Sequence, residues 1–194
     1  MAKFLRRNPS QKDDPAGEFL KDLDLAGLEE ASASPAEAAR TVFEKLGLIQ
    51  SRARKIRLLQ DAGRLQAEWP TLLFVELLSD PIEEIRDLAV RELIERRDAP
   101  LDEICRRLGR PPWFAKCAVL RVLAAKKSAP TAKSVRAVVD DPNAEVRKTA
   151  AAALGEIGGR EARSLLVRLS RDVNAYVRAA AVKALDKICD FKFS

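Results

Sequence analysis

Histidine is absent from the 194-residue chain, and methionine, tyrosine and tryptophan together contribute four residues. Without an imidazole there is no His-based nucleophile activation, no His metal ligand and no use of the commonest general acid or base. Three cysteines, Cys105, Cys117 and Cys189, form no CxxC pair and leave one thiol over, so neither a disulfide framework nor a zinc site is written in the spacing. Cys105 falls on the stripe of Leu101, Ile104 and Leu108, where a thiol packs as a small hydrophobe, and all three thiols are expected to be buried. No apolar run reaches the roughly eighteen residues of a membrane span, and Met1 to Arg7 lacks the apolar core of a leader peptide. These absences point to a cytosolic chain with no catalytic residue, no cofactor and no metal, and a binding role is what remains.

Aromatic residues make up only 5% of the chain, against 47% hydrophobic and 33% charged. Ala and Leu therefore carry the packing, as closely stacked helices require. The sequence between Asp141 and Ile188 shows how. Asp141, Val146, Arg147, Ala150, Leu154 and Ile157 recur thirty-one residues later as Asp172, Val177, Arg178, Ala181, Leu185 and Ile188. A period in the thirties with helical spacing inside it marks a stack of helix-turn-helix units. Val146, Ala150, Ala153, Leu154 and Ile157 share one stripe of an amphipathic helix. Asp141 and Pro142 predict its cap and first turn, and Gly158 with Gly159 its end. The partner helix of the unit carries Ala162, Leu165, Leu166 and Leu169 and stops near Ser170.

Moved up the chain, the template finds Asp80, Pro81, Ile85, Arg86, Ala89 and Leu93 at twice the repeat distance. Between them Phe114, Ala118 and Val122 take the apolar positions, with Gly109 and Ala115 in place of the Asp and the Arg. The implied periods are twenty-nine, thirty-two and thirty-one residues. Ile56 and Arg57 echo the motif once more in a degenerate leading unit. The expected organisation is a flexible tail over 1–33 and an all-α solenoid over 34–194. Its units are 34–66 (degenerate), 69–97, 100–125, 130–158 and 160–190.

These residues resemble the HEAT repeat, in the short bacterial and phycobilin-lyase-like version with its Asp-Pro-x-x-x-Val-Arg-x-x-Ala-x-x-x-Leu pattern. The resemblance implies that the repeated Asp and Arg side chains, here Asp80, Arg86, Asp141, Arg147, Asp172 and Arg178, link neighbouring turns along the stack. The HEAT-fold deoxyhypusine hydroxylases use His-Glu pairs for iron, which this chain cannot supply. The residues shared with phycobilin lyases are structural and carry no chemistry across, so a lyase-like accessory role is a minor alternative.

Taken in order, the tail has scattered Pro and Gly, interrupted by Glu18 to Leu28, where leucines among acids suggest a short docking helix. Ser34, Pro35 and Glu37 predict a capping box ahead of Ala38, Val42, Phe43 and Leu46, with Gly47 as the stop. A second helix runs from Ser51 to Leu65 with Arg52, Arg54, Lys55 and Arg57 near its start. Thr71 to Leu78 is apolar nearly all round and predicts the most buried helix. Leu101 to Leu108 and Thr131 to Val139 are outer helices, and Phe191 to Phe193 is expected to cover the last unit.

Charge is unevenly distributed: residues 104–194 carry nineteen basic and eight acidic side chains, a net +11 within a chain of net +6. A basic half argues for an acidic partner. Solenoids bind along columns formed by their inner helices. The expected columns are Glu84, Trp113, Glu145, Tyr176; then Asp87, Lys116, Lys148, Ala179; then Arg91, Leu120, Ala152, Lys183. Exposed aromatics beside lysines suit protein partners and stacked bases alike. The primary expectation is a non-enzymatic adaptor that holds an acidic protein through Trp113, Lys116, Lys148, Tyr176 and Lys183. Nucleic-acid binding by the basic half is the alternative. It resembles the HEAT-like alkylpurine DNA glycosylases only loosely, since Trp69 and Trp113 are the sole tryptophans and the motif around the family's Asp is not found.

Overall fold

The computed structural model describes residues 32–127 and 129–190. Most of the expected tail, its Glu18 to Leu28 segment and Phe191 to Phe193 lie outside these residues. The described residues contain ten α-helices, two short 3-10 turns and no strand. They fall into two compact units, Met1–Pro70 and Thr71–Ser194, divided two residues into the repeat expected at 69–97.

The first unit contains α1 (Pro35–Leu48) and α2 (Arg52–Gly63). Ser34 caps α1 by accepting from the Glu37 N–H at 3.2 Å, and the Glu37 carboxylate reaches back to the Ala33 N–H at 2.7 Å. Each end of this box satisfies an amide that the first helical turn leaves without a carbonyl. Gly47 does not stop α1, which continues one residue further to Leu48, because a lone glycine inside a packed helix costs only about 1 kcal/mol. Ala38, Ala39, Val42 and Leu46 are buried, while Phe43 is partly exposed.

The second unit contains the end of α3 (Trp69–Leu77), then α4 (Glu83–Glu95), α5 (Leu101–Arg106), α6 (Trp113–Lys126), α7 (Ala129–Val135), α8 (Ala144–Ile157), α9 (Gly159–Leu169) and α10 (Ala175–Asp190). Arg107–Gly109 and Arg136–Val138 are 3-10 turns that finish α5 and α7, so the outer helices are shorter than the apolar pattern predicts. Inner helices α4, α6, α8 and α10 pack each on the next, and α5, α7 and α9 form an outer row, giving an α-solenoid of helix pairs. Thr71, Leu73, Phe74, Val75, Leu77 and Leu78 are all buried, as the all-round apolar run requires.

Burial corrects the repeat register in the irregular unit. Val146, Ala150, Ala153 and Leu154 are buried in α8, and their counterparts in α6 are Ala115, Val119, Val122 and Leu123, thirty-one residues earlier. The spacing of thirty-two read from the sequence would put the exposed Arg121 where Ala153 is buried. Ala115 therefore occupies the first apolar position, the half-buried Phe114 does not, and Lys116 stands where Arg147 stands. The periods are thirty, thirty-one and thirty-one. Helix starts shift as well: α8 begins at Ala144, capped by Asn143, whereas Asp141 and Pro142 belong to the turn before it.

Close stacking depends on one glycine. A Cβ on Gly155 would lie 2.8 Å from the Ala184 Cβ on α10. Both atoms are fixed directly to helix backbone, so relief requires the two helices to separate. Gly155→Ala should therefore lower stability by about 1–2 kcal/mol, because overpacking costs outweigh the helix-propensity gain of about 1 kcal/mol. Urea denaturation checks this, and Gly155→Ala combined with Ala184→Gly should recover part of the loss.

Candidate interaction surface

Three of the four inner helices, α4, α8 and α10, are entered through the same turn. The carboxylates of Asp80, Asp141 and Asp172 accept from the N–H two residues on, of Ile82 (2.8 Å), Asn143 (2.9 Å) and Asn174 (2.8 Å). Asn143 and Asn174 then cap the helix, accepting from the N–H groups of Glu145 and Tyr176. Six residues after each Asp an arginine folds back over the turn. Nη1 of Arg86, Arg147 and Arg178 donates to the carbonyls of Asp80, Asp141 and Asp172 at 2.7, 2.7 and 2.8 Å, and to the carbonyl that follows each. One guanidinium thus satisfies two carbonyls that no helix can reach.

The remaining donors of Arg147 hold the next turn. Nε and Nη2 bind the two oxygens of Asp172 at 2.7 and 2.9 Å, a bidentate pair that is almost buried. This contact holds the Asp172 carboxyl below the usual carboxylate range, helped by the Asn174 N–H, and pushes Arg147 further up. One unit earlier Lys116 makes the equivalent link, donating from Nζ to Asp141 Oδ2 at 2.7 Å, with its side chain only 19% exposed. Another unit back, the residue in the acid's place is Arg110, and Arg86 instead lies over the Phe114 ring, 4.4 Å from its centroid. Lys116 was expected on the binding surface; the correct register puts it in the ladder, against a carboxylate that is 5% exposed.

The inner-face columns are redrawn accordingly as Glu84, Phe114, Glu145, Tyr176; Asp87, Cys117, Lys148, Ala179; and Arg91, Arg121, Ala152, Lys183. Trp113 stands beside the first of these rather than in it, 48% exposed and edge-on to Phe114 at 5.9 Å. Tyr176 is 78% exposed. Lys148 is partly exposed and paired with Glu145, and Arg121 is paired with Asp87 across α4 and α6. Lys183 is exposed with no ion pair among the described residues. Tyr176 and Lys183, two turns apart on α10, share a face with Lys148 in the neighbouring column.

Cys105 and Cys117 are half-buried rather than buried. Burial pushes the Cys117 thiol up, against a weaker opposing contact from the Thr149 hydroxyl at 3.6 Å, so it stays a thiol at neutral pH. The side chain of Cys189 lies outside the described residues. The structure also has two concavities that periodicity did not reveal. One groove of about 680 Å³ lies against the ladder, with Arg147, Asp172, Asp140 and Arg168 already paired along it. The other, about 640 Å³, sets Arg160, Arg163 and Lys187 around Ile157 and Ile188, at a turn built by Gly158 (φ +70°) and Gly159 (φ +86°). The paired glycines and the arginines after them are the only sequence signal for it.

Residues 101–186 match the family model for HEAT repeats. That part of the chain is built of HEAT repeats, and HEAT repeats generally serve as protein-interaction scaffolds. No curated protein matches the chain in sequence. No described helix is long and apolar enough to cross a membrane.

Lys116→Ala should cost about 1–3 kcal/mol, since it strands a buried carboxylate, and Arg147→Ala about 2–4 kcal/mol, whereas Lys148→Ala should stay within about 0.5 kcal/mol. Thermal and urea unfolding of the three variants provide the comparison. The Asp172 link also has a pH signature. Its folded pKa is depressed, so its contribution is present above the unfolded carboxylate pKa of about 3.9 and is lost as pH falls through the folded value. Between neutral pH and about pH 2.5, Asp172→Asn should lose less stability than the wild type does.

Proposed function

We propose that the chain is a non-enzymatic scaffold that holds an acidic protein partner on the face shared by Tyr176, Lys183 and Lys148. The observation that carries this reading is Tyr176: a ring 78% exposed, on an inner helix, two turns before Lys183, an exposed ammonium with no ion pair among the described residues. Tyrosine supplies a rigid apolar contact with a polar end, and a neighbouring amine steers and orients a carboxylate. Trp113 extends the face towards α6, about two helix spacings, or roughly 18–20 Å, from Tyr176. Lys116 takes no part, being occupied by Asp141.

Nucleic acid is the competing partner, favoured by the net +11 of residues 104–194. Much of that charge is already committed. Arg107, Lys116, Arg121, Arg136, Arg147, Lys148, Arg168 and Lys187 all pair with carboxylates. The cations without a partner among the described residues include Arg160, Arg163 and Arg171, which belong to α9 and its flank rather than to the inner face. A duplex-tracking surface needs a continuous row of free cations, because its affinity comes from phosphate neutralisation.

Capture experiments with the immobilised chain, read by quantitative mass spectrometry, test the proposal. Tyr176→Ala with Lys183→Glu should remove the specifically bound proteins while leaving the melting temperature within about 2 °C, since exposed substitutions usually change stability by only about 0.5 kcal/mol. Undiminished capture by this variant would place the interaction elsewhere. A salt-sensitive mobility shift with duplex DNA, at protein concentrations where no protein is captured, would favour nucleic acid.

A further inference from the structure

Each inner helix has a stripe that the next inner helix covers. The first position of the stripe is the ladder cation: Arg86, Lys116, Arg147, Arg178. One turn on it is apolar: Val90, Leu120 and Ala151 are fully buried or nearly so, but Val182 on α10 is 49% exposed. A further turn on come Ile94, Ala124 and Gly155, and then Asp186. On α10 the whole stripe, Arg178, Val182 and Asp186, faces outward. Nε and Nη2 of Arg178, the donors with which Arg147 holds Asp172, have no partner among the described residues, and neither has the Asp186 carboxylate.

Asp186 does not suit a simple continuation of the ladder. At the equivalent place α4, α6 and α8 carry the uncharged Ile94, Ala124 and Gly155, and a carboxylate laid there against a next inner helix would lose water without a partner. What the stripe does suit is itself. Arg178 and Asp186 stand four residues to either side of Val182, about 6 Å along the helix axis in each direction. Two α10 helices laid antiparallel across a two-fold axis at Val182 bring each Arg178 to the other's Asp186, with valine against valine between them. Ala175 and Ala179, also exposed, leave room for close approach. We infer that the α10 face is a self-complementary dimer interface between two copies of this chain, with the isologous arrangement that two-fold symmetry demands.

A helix of sixteen residues is about 24 Å long, so the contact lies at the small end of specific interfaces and the dimer is weak and concentration-dependent. The inference does not rest on the scaffold reading, since its readout involves no other protein. Sedimentation of the full chain from micromolar to millimolar concentration should show the mass rising towards twice the monomer value. Asp186→Arg, which removes no hydrogen bond within the described chain, should raise the midpoint concentration at least about tenfold, and so should Arg178→Asp. The double charge swap should restore the wild-type midpoint. Val182→Lys, whose melting temperature should match the wild type, should abolish dimerisation. A chain that stays monomeric throughout, or a dimer whose midpoint ignores Asp186→Arg and Val182→Lys, overturns the inference and leaves the face to a different occupant.

Discussion

The second unit depends on one arrangement: an arginine that braces the turn before its own helix while gripping the aspartate of the next. A turn between two helices leaves carbonyls and amides with no helical partner, and unpaired polar groups of this kind are costly when neighbouring helices shield them from water. The aspartate takes the amide side of the problem, and Nη1 of the arginine takes the carbonyl side. With its other nitrogens free to reach twenty-five residues ahead, the same guanidinium connects units as well as completing one. A single helix pair cannot bury its apolar stripe alone, so this connection and the burial of the stripe stabilise the same geometry.

The departures from that arrangement are instructive because the stack survives them. Lysine in place of arginine keeps the link to the next aspartate but has no second branch with which to brace its own turn. Where Arg110 replaces the aspartate, Arg86 keeps its carbonyl contacts and covers the Phe114 ring instead. Each substitution preserves one half of the arginine's role. The apolar stripe continues unbroken beneath both, which indicates that packing holds the stack and the ladder sets its register.

The use of cations as struts changes the meaning of the chain's charge. A net charge summed along the sequence counts Arg147 and Lys183 alike, although the first is immersed in a bidentate contact and the second stands in water. After the pairs are taken away, the cations without an ion pair among the described residues include Lys183 on the inner face and Arg160 and Arg163 on the outer helix α9. The inner face is consequently a mixed surface with an aromatic centre, suited to a protein, and not a uniformly positive one.

Periodicity alone determined that the chain is a stack of helix pairs, since the spacing of Val146, Ala150, Leu154 and Ile157 and its return thirty-one residues later have no other economical reading. It also singled out Asp141, Arg147, Asp172 and Arg178, because a polar residue repeated inside an apolar frame must meet the same surroundings each time. Only the tertiary structure decided the register of the irregular unit. There both marker residues are replaced, and a one-residue slip moves Lys116 from the surface into the ladder and Trp113 out of its column. It alone also decided which cations remain free and that Arg178, Val182 and Asp186 lie uncovered. Those properties belong to pairs of residues on different helices, twenty-five to thirty-four positions apart, and a periodic pattern records the face on which a side chain lies but not what stands opposite it.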